Sequence, residues 1–258
     1  MAECKLAHVP QTLLGGGQEE KIAALRELFA LAEQSRAKAD APDSCGSDHR
    51  GKPWREFRGI VGRPLFDQIT AIVRYAPPSE VRELAGDIMA LLRYPCAIGR
   101  LLELYERHLP TINDSPPLTI YKNLGDIGTG GAARALMWLW GTKWDADIAG
   151  ALGRCNSTAA QDFLLRQARI HPNSYVRQMC IAYLKLPLTK DKTDLFIDRL
   201  RNGGYNERFT AILKVQELRV TCAAETLISM RAENKNKSLV GFINEALPVL
   251  GKKTAISL

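Results

Sequence analysis

Along QEEKIAALRELFALAEQ (18–34) the apolar positions Ile22, Leu25, Leu28, Phe29, Leu31 and Ala32 recur at three- and four-residue intervals, the spacing that lines one face of an α-helix. PLFDQITAIVRYA (64–76), SEVRELAGDIMALLRYP (79–95) and CAIGRLLELYERHLP (96–110) repeat that rhythm, and prolines close the latter two. No run alternates apolar and polar residues as a half-buried strand does, and no Asn-Gly or Asp-Gly pair marks a hairpin. The pattern predicts an all-α fold.

The second half of the chain repeats itself. WDADIAGAL (144–152) aligns with VRQMCIAYL (176–184) at an offset of 32 residues, with Ile148 over Cys180 and Leu152 over Leu184. RFTAILKVQEL (208–218) and LVGFINEALPVLG (239–251) continue the series, and the columns Met179, Ile212, Ile243 and Ala182, Val215, Ala246 stay apolar. Between them lie GGAARALMWLW (130–140), STAAQDFLLRQA (157–168), KTDLFIDRL (192–200) and CAAETLISM (222–230), each with its own helical stripe. Paired short helices at this period, neither able to bury its stripe alone, predict an α-solenoid.

NLGDIGTGGAARAL (123–136), ALGRC (151–155) and PNSYVRQMCIAYLKL (172–186) together resemble the short HEAT-like repeats of the phycobilisome-lyase type. Leu124-Gly125 and Leu152-Gly153 match that family's Leu-Gly, and Val176-Arg177 matches its Val-Arg; the equivalent pairs Trp144-Asp145, Phe209-Thr210 and Val240-Gly241 depart from it. The resemblance spans about residues 118–251 and implies a binding module, with no activity attached. Residues 1–117 are expected to be more divergent helices with a long loop at 35–64, rich in Gly, Pro, Asp and Ser, and 118–258 to be the HEAT-like repeats. One continuous solenoid is the expected architecture.

Charge sharpens this picture. The 258-residue chain carries a net charge of +7, and residues 131–258 hold 19 Lys and Arg against 11 Asp and Glu, while residues 1–130 hold 16 against 17. A basic excess confined to the repeats points to an acidic macromolecular partner. A protein is the first expectation and a nucleic acid the second, with oligomeric state left open. No apolar run is long enough to span a bilayer and the start shows no secretory signal, so no membrane is expected and a cytoplasmic location is the default. The six cysteines and four histidines are scattered without ligand spacing, which predicts structural thiols, no metal and no cofactor.

Candidate chemistry is sparse. GTGGAA (128–133) has the glycines of a dinucleotide fingerprint, but PPLTIYKNLGDI ahead of it is better read as a short helix ending at Leu124-Gly125. MWLWGTKWDAD (137–147) gathers three of the four tryptophans. TKWDAD (142–147) loosely resembles a segment of the HEAT-like DNA alkylation-repair glycosylases, and that resemblance implies Asp145 or Asp147 as a weak alternative catalytic carboxylate. The repeat register instead makes Trp144 a core residue and the two aspartates helix-start residues. Trp138 and Trp140, about 200° apart on one helix, cannot share a core, so one should face outward as a binding candidate. Tyr175, Arg177, Arg208 and Lys237 from the second helices, and Arg134 and Arg166 from the first, are the expected partner-binding residues on a basic concave face. Trp54, Arg55 and Arg58, in GKPWREFRGIVGR (51–63), interleave aromatic and cationic groups and join that list, although Trp54 and Phe57 could equally plug a solenoid edge.

Overall fold

The structure is a computed structural model that describes residues 8–40, 53–77, 79–108, 118–234 and 236–251. Among the described residues every regular element is helical. The chain divides into two compact units, Met1–Ala135 and Leu136–Leu258, within the helix Gly130–Trp138. The change of sequence character at 117/118 falls earlier.

The first unit contains α1 (Val9–Gly15), α2 (Gln18–Asp40), α3 (Pro53–Tyr75), α4 (Glu80–Leu91), α5 (Ile98–His108) and α6 (Leu118–Ile127). Helices α2, α3 and α4 pack on one another around Leu25, Leu28, Phe57, Phe66, Ile69 and Met89, all fully or almost fully buried. Each such side chain contributes roughly 1.5–3 kcal/mol on leaving water. The loop expected over 35–64 is largely helix: α2 continues to Asp40 and α3 starts at Pro53, leaving 41–52 outside the described residues. Local composition suggested a loop because Gly62 and Pro64 interrupt the pattern. The chain accommodates them by a kink at Gly62 (φ 77°, ψ 157°), a conformation open to glycine, beside a proline that has no N–H to donate.

Between α4 and α5 lies an ion network. Arg100 on α5, 7% exposed, donates from Nε to Asp87 at 3.0 Å and from Nη2 to Glu83 at 3.5 Å. Arg107 closes on Glu83 at 2.6 Å, and this hydrogen bond holds the Glu83 carboxyl below its usual range. α5 meets α6 in turn, and Arg93 reaches Asp126 at 3.2 Å. Helix α6 runs on past Leu124-Gly125 to Ile127 and stops at Gly128 (φ 69°), so the expected Leu-Gly terminus lies inside the helix.

The second unit takes up the end of α7 (Gly130–Trp138) and holds α8 (Asp145–Arg154), α9 (Thr158–Ile170), α10 (Ser174–Ala182), α11 (Lys190–Asn202), α12 (Tyr205–Glu217), α13 (Ala224–Glu233) and α14 (Lys237–Val249). All eight helices read from the repeat pattern are present. Helices α8, α10, α12 and α14 pack in succession, as do α9, α11 and α13, and α9–α10, α11–α12 and α13–α14 pair between the two rows. Leu152-Gly153 has a packing reason: a Cβ on Gly153 would meet Tyr183 Cβ at 2.5 Å, so glycine lets the end of α10 approach α8.

One turn recurs in both units. After α4, Arg93 adopts φ 58° while Tyr94 N donates to Met89 O at 2.9 Å; after α12, Arg219 adopts φ 52° while Val220 N donates to Val215 O at 2.8 Å. Each is a left-handed helix stop with the longer hydrogen bond of a Schellman turn. A 3-10 turn follows each, Pro95–Ala97 and Thr221–Ala223, before the next helix. Leu92-Arg93-Tyr94-Pro95-Cys96-Ala97 and Leu218-Arg219-Val220-Thr221-Cys222-Ala223 share a Leu-Arg-x-x-Cys-Ala pattern, a repeat that the apolar columns of the second half do not reach.

Candidate binding surface

Three of the turns that join first to second helices in the second unit are stitched together by polar side chains. Asp145, the first residue of α8 and 4% exposed, reaches back with Oδ1 to accept from Gly141 N at 2.9 Å and Thr142 N at 3.0 Å. Its Oδ2 meets His171 Nε2 at 3.2 Å in the next turn. On the other side of the ring, Nδ1 lies 3.2 Å from Asn173 N, so the imidazole is held at both nitrogens. The path continues where Arg177 Nη1 donates to His171 O at 2.7 Å and Arg177 Nε to Glu207 Oε1 at 2.6 Å. Glu207 Oε2 then accepts from Gly204 N, at 3.1 Å, in the third turn.

This geometry bears on three expectations. Arg177, expected to contact a partner, is engaged within the protein by the His171 and Pro172 carbonyls and the buried Glu207. Asp145 stands at the start of its helix, as expected, and its carboxylate also braces the preceding turn. Trp144 sits half-buried at the N-cap of α8 with its Nε1 lacking a hydrogen-bond partner and Lys143 Nζ 4.9 Å from the ring centroid; of its column only Val176 is fully in the core. The turn Gly141–Trp144 lifts Trp144 out of the helical register that the alignment assumed.

Asp145 and His171 have the composition of a catalytic pair without its freedom. Both aspartate oxygens and both imidazole nitrogens already hold partners within the protein, which fixes the pair as a brace between two turns. Asp147 is exposed in the first turn of α8. Burial pushes the Cys180 thiol up to about 12, leaving it protonated and unreactive near neutral pH. Among the described residues no group of three His, Cys, Asp or Glu side chains could hold a metal ion, and no helix is long and apolar enough to cross a membrane.

What the turn edge exposes is aromatic and apolar. Trp138, at the end of α7, is 62% exposed, whereas Trp140 lies beyond the helix end and packs edge-on to Phe163 (centroids 4.9 Å) and His171 (5.8 Å). The two tryptophans therefore divide as expected, although they do not share a helix. Ile170 at the end of α9, Tyr175 in α10 and Tyr205 at the start of α12 are also exposed. Lys143, Arg201 and Lys237 stand exposed at or beside three of the four turns between first and second helices. Of the remaining expected contacts, Arg166 is exposed and lies over Phe163 at 5.2 Å. Arg208 is half-buried and bound to the Arg201 carbonyl at 2.7 Å.

The other candidates lie in the first unit. Arg134 is exposed on the part of α7 that belongs there. Trp54 is half-buried and packs edge-on to Tyr94 at 5.6 Å, with Arg55 over its ring at 5.5 Å; Arg58 lies over Phe66 at 5.9 Å, and Phe57 is fully buried. Within this cluster Phe57 and Phe66 lie in the core, Trp54 and Arg58 are half-buried and Arg55 is exposed.

Tyr205 and His171 were missed by the sequence reading. A signal for Tyr205 existed: Trp144, Tyr175 and Tyr205 lie 31 and 30 residues apart, each where a second helix begins. No local signal exists for His171, whose partner is 26 residues away. No protein-family model matches the sequence, and none of the curated proteins compared with it is similar, so the surface has to be interpreted from its own residues.

Proposed function

We propose that residues 118–258 form HEAT-like repeats of an α-solenoid that act as a non-catalytic binding module, and that this module contacts an acidic protein along its turn edge. The observation that carries the reading is the exposure of Trp138, Ile170, Tyr175 and Tyr205 at successive turns whose backbone is braced from beneath by Asp145, His171, Arg177 and Glu207. Exposed aromatic side chains on a rigid frame lose little conformational freedom on binding and dominate interface energies. The cations beside them supply steering toward an acidic surface. HEAT-like identity rests on the paired-helix period and the Leu-Gly and Val-Arg positions.

The basic excess of residues 131–258 favours a second reading, a nucleic-acid partner. Duplex DNA binding across a salt series separates the two, because affinity for a phosphate backbone falls with a log–log slope of about −0.9 per phosphate contacted. For the protein reading, the full chain and a Trp138→Ala/Tyr175→Ala/Tyr205→Ala variant are used as baits, with partners identified by mass spectrometry and binding then measured with the purified partner. The variant is expected to keep its unfolding midpoint and to lose at least about tenfold in affinity, as loss of interface aromatics does. Undiminished binding by the variant rejects the turn edge as the contact surface.

A further inference from the structure

In the second unit α11, α12 and α13 border an open groove of about 580 Å³, within the size range of ligand sites. Its charges are segregated by helix. Arg201 near the end of α11 and Arg208 in the first turn of α12 supply two cations, and Glu225 and Glu233 of α13 supply two anions. Both guanidinium groups are fixed in place: Arg201 Nη2 donates to Thr226 Oγ1 at 3.3 Å, and Arg208 Nη2 to the Arg201 carbonyl at 2.7 Å. Glu233 accepts from Ser229 Oγ at 2.8 Å. Among the described residues, none of these four charged groups forms an ion pair with another residue of the chain.

Charge segregation restricts what the molecule can be. A phosphate backbone laid along the groove would meet two guanidinium groups and also two carboxylates, so attraction and repulsion largely offset. A peptide with an acidic and a basic residue meets opposite charges on both sides. Glu225 and Glu233 are eight residues apart on one helix, about 12 Å along its axis. That is the length of roughly three to four extended peptide residues.

We infer that the groove between α11, α12 and α13 binds a mixed-charge peptide segment of the partner, its carboxylate on Arg201 and Arg208 and its lysine or arginine on Glu225 or Glu233. This inference rests on the binding-module reading and names the kind of segment that module selects: one of alternating sign, carried by a protein that is acidic overall.

The test is a titration of the isotope-labelled full chain, following the backbone amide resonances of Thr226 and Ser229. The probes are N-acetylated, C-amidated Asp-Ala-Ala-Lys, Asp-Ala-Ala-Asp and Lys-Ala-Ala-Lys, together with a short oligothymidylate. The mixed-charge peptide is expected to give saturable shifts below about 10 mM and to bind about fivefold tighter than either single-sign peptide, the effect of one exposed ion pair. Glu233→Lys, at an exposed site on α13 where the fold tolerates it, should weaken Asp-Ala-Ala-Lys by about fivefold and strengthen Asp-Ala-Ala-Asp. The inference is overturned if no tetrapeptide saturates, if Asp-Ala-Ala-Asp matches the mixed-charge probe on the wild-type chain, or if the oligothymidylate shifts these amides most. The tetrapeptides contain no aromatic-binding element, so this outcome is independent of the Trp138, Tyr175 and Tyr205 variant. Failure of the groove is thereby distinguishable from failure of the turn edge.

Discussion

Arg100 in the first unit and Arg177 in the second are both inward-facing arginines, yet they hold different things together. Arg100 sits between carboxylates of α4 and α5, and those carboxylates are 35 to 44% exposed. Arg177 joins a carboxylate that is 4% exposed to two turn carbonyls of the preceding helix pair. Arg100 thus fixes one helix against another by side chain–side chain pairing, whereas Arg177 also ties one turn to the next through backbone carbonyls. Arg199 donating to the Arg169 carbonyl, Arg208 to the Arg201 carbonyl, and buried Lys192 to the Lys185 and Pro187 carbonyls belong to the same habit. Repeating turns create a regular supply of unpaired carbonyls at helix ends, and a basic sequence satisfies them. Part of the positive charge that suggests a partner is therefore structural.

Removing each arginine measures that difference. Arg177→Met should be the more damaging, lowering stability in urea unfolding by about 3 kcal/mol, since it leaves Glu207 charged and buried without its partner. Arg100→Met should lower stability by only about 2 kcal/mol, because water screens the half-exposed carboxylates that remain. Equal losses would mean that burial of the acid is not what separates the two sites.

The paired left-handed turns give a smaller contrast with opposite signs. Arg219 is exposed, so Arg219→Gly should raise stability by about 1 kcal/mol by relieving a conformation that glycine adopts freely. Arg93 has the same backbone conformation but is buried against Asp126, so Arg93→Gly should destabilise despite the same relief. If both variants stabilise, the Arg93–Asp126 pair contributes nothing net.

The smallest effect concerns the cysteines that close the two turns. Burial raises the Cys96 thiol to about 11, whereas Cys222 is exposed. Alkylation of the native chain, mapped by mass spectrometry, should modify Cys222 more than about tenfold faster than Cys96, because the thiolate is the reactive form. Comparable rates would show that the α4–α5 turn opens readily.

Much of this was legible in the residues. The stripes around Leu25 and Leu28, around Ile148 and Leu152, and around Ile212 and Val215 each announced a helix, because a helix buries one face at a period set by its own backbone. The repeat period placed all eight helices of the second half. Where glycine and proline punctuated the chain, the same local reasoning overreached: it took 35–64 for a loop, although the described parts, 35–40 and 53–64, belong to α2 and to α3 with its kink at Gly62.

What the sequence by itself determined, then, is the helical class, the pairing of helices in the second half and the location of the basic excess. What only the tertiary structure decided is how each polar or aromatic side chain is used. Arg177 turned inward while Tyr175, two residues away, stayed out; Trp140 packed on Phe163 while Trp138 was left to solvent. The physical reason is distance along the chain. Helix formation depends on neighbours three and four residues apart, whereas His171 for Asp145, Glu207 for Arg177 and Phe163 for Trp140 lie more than twenty residues away and meet them only when the helices pack.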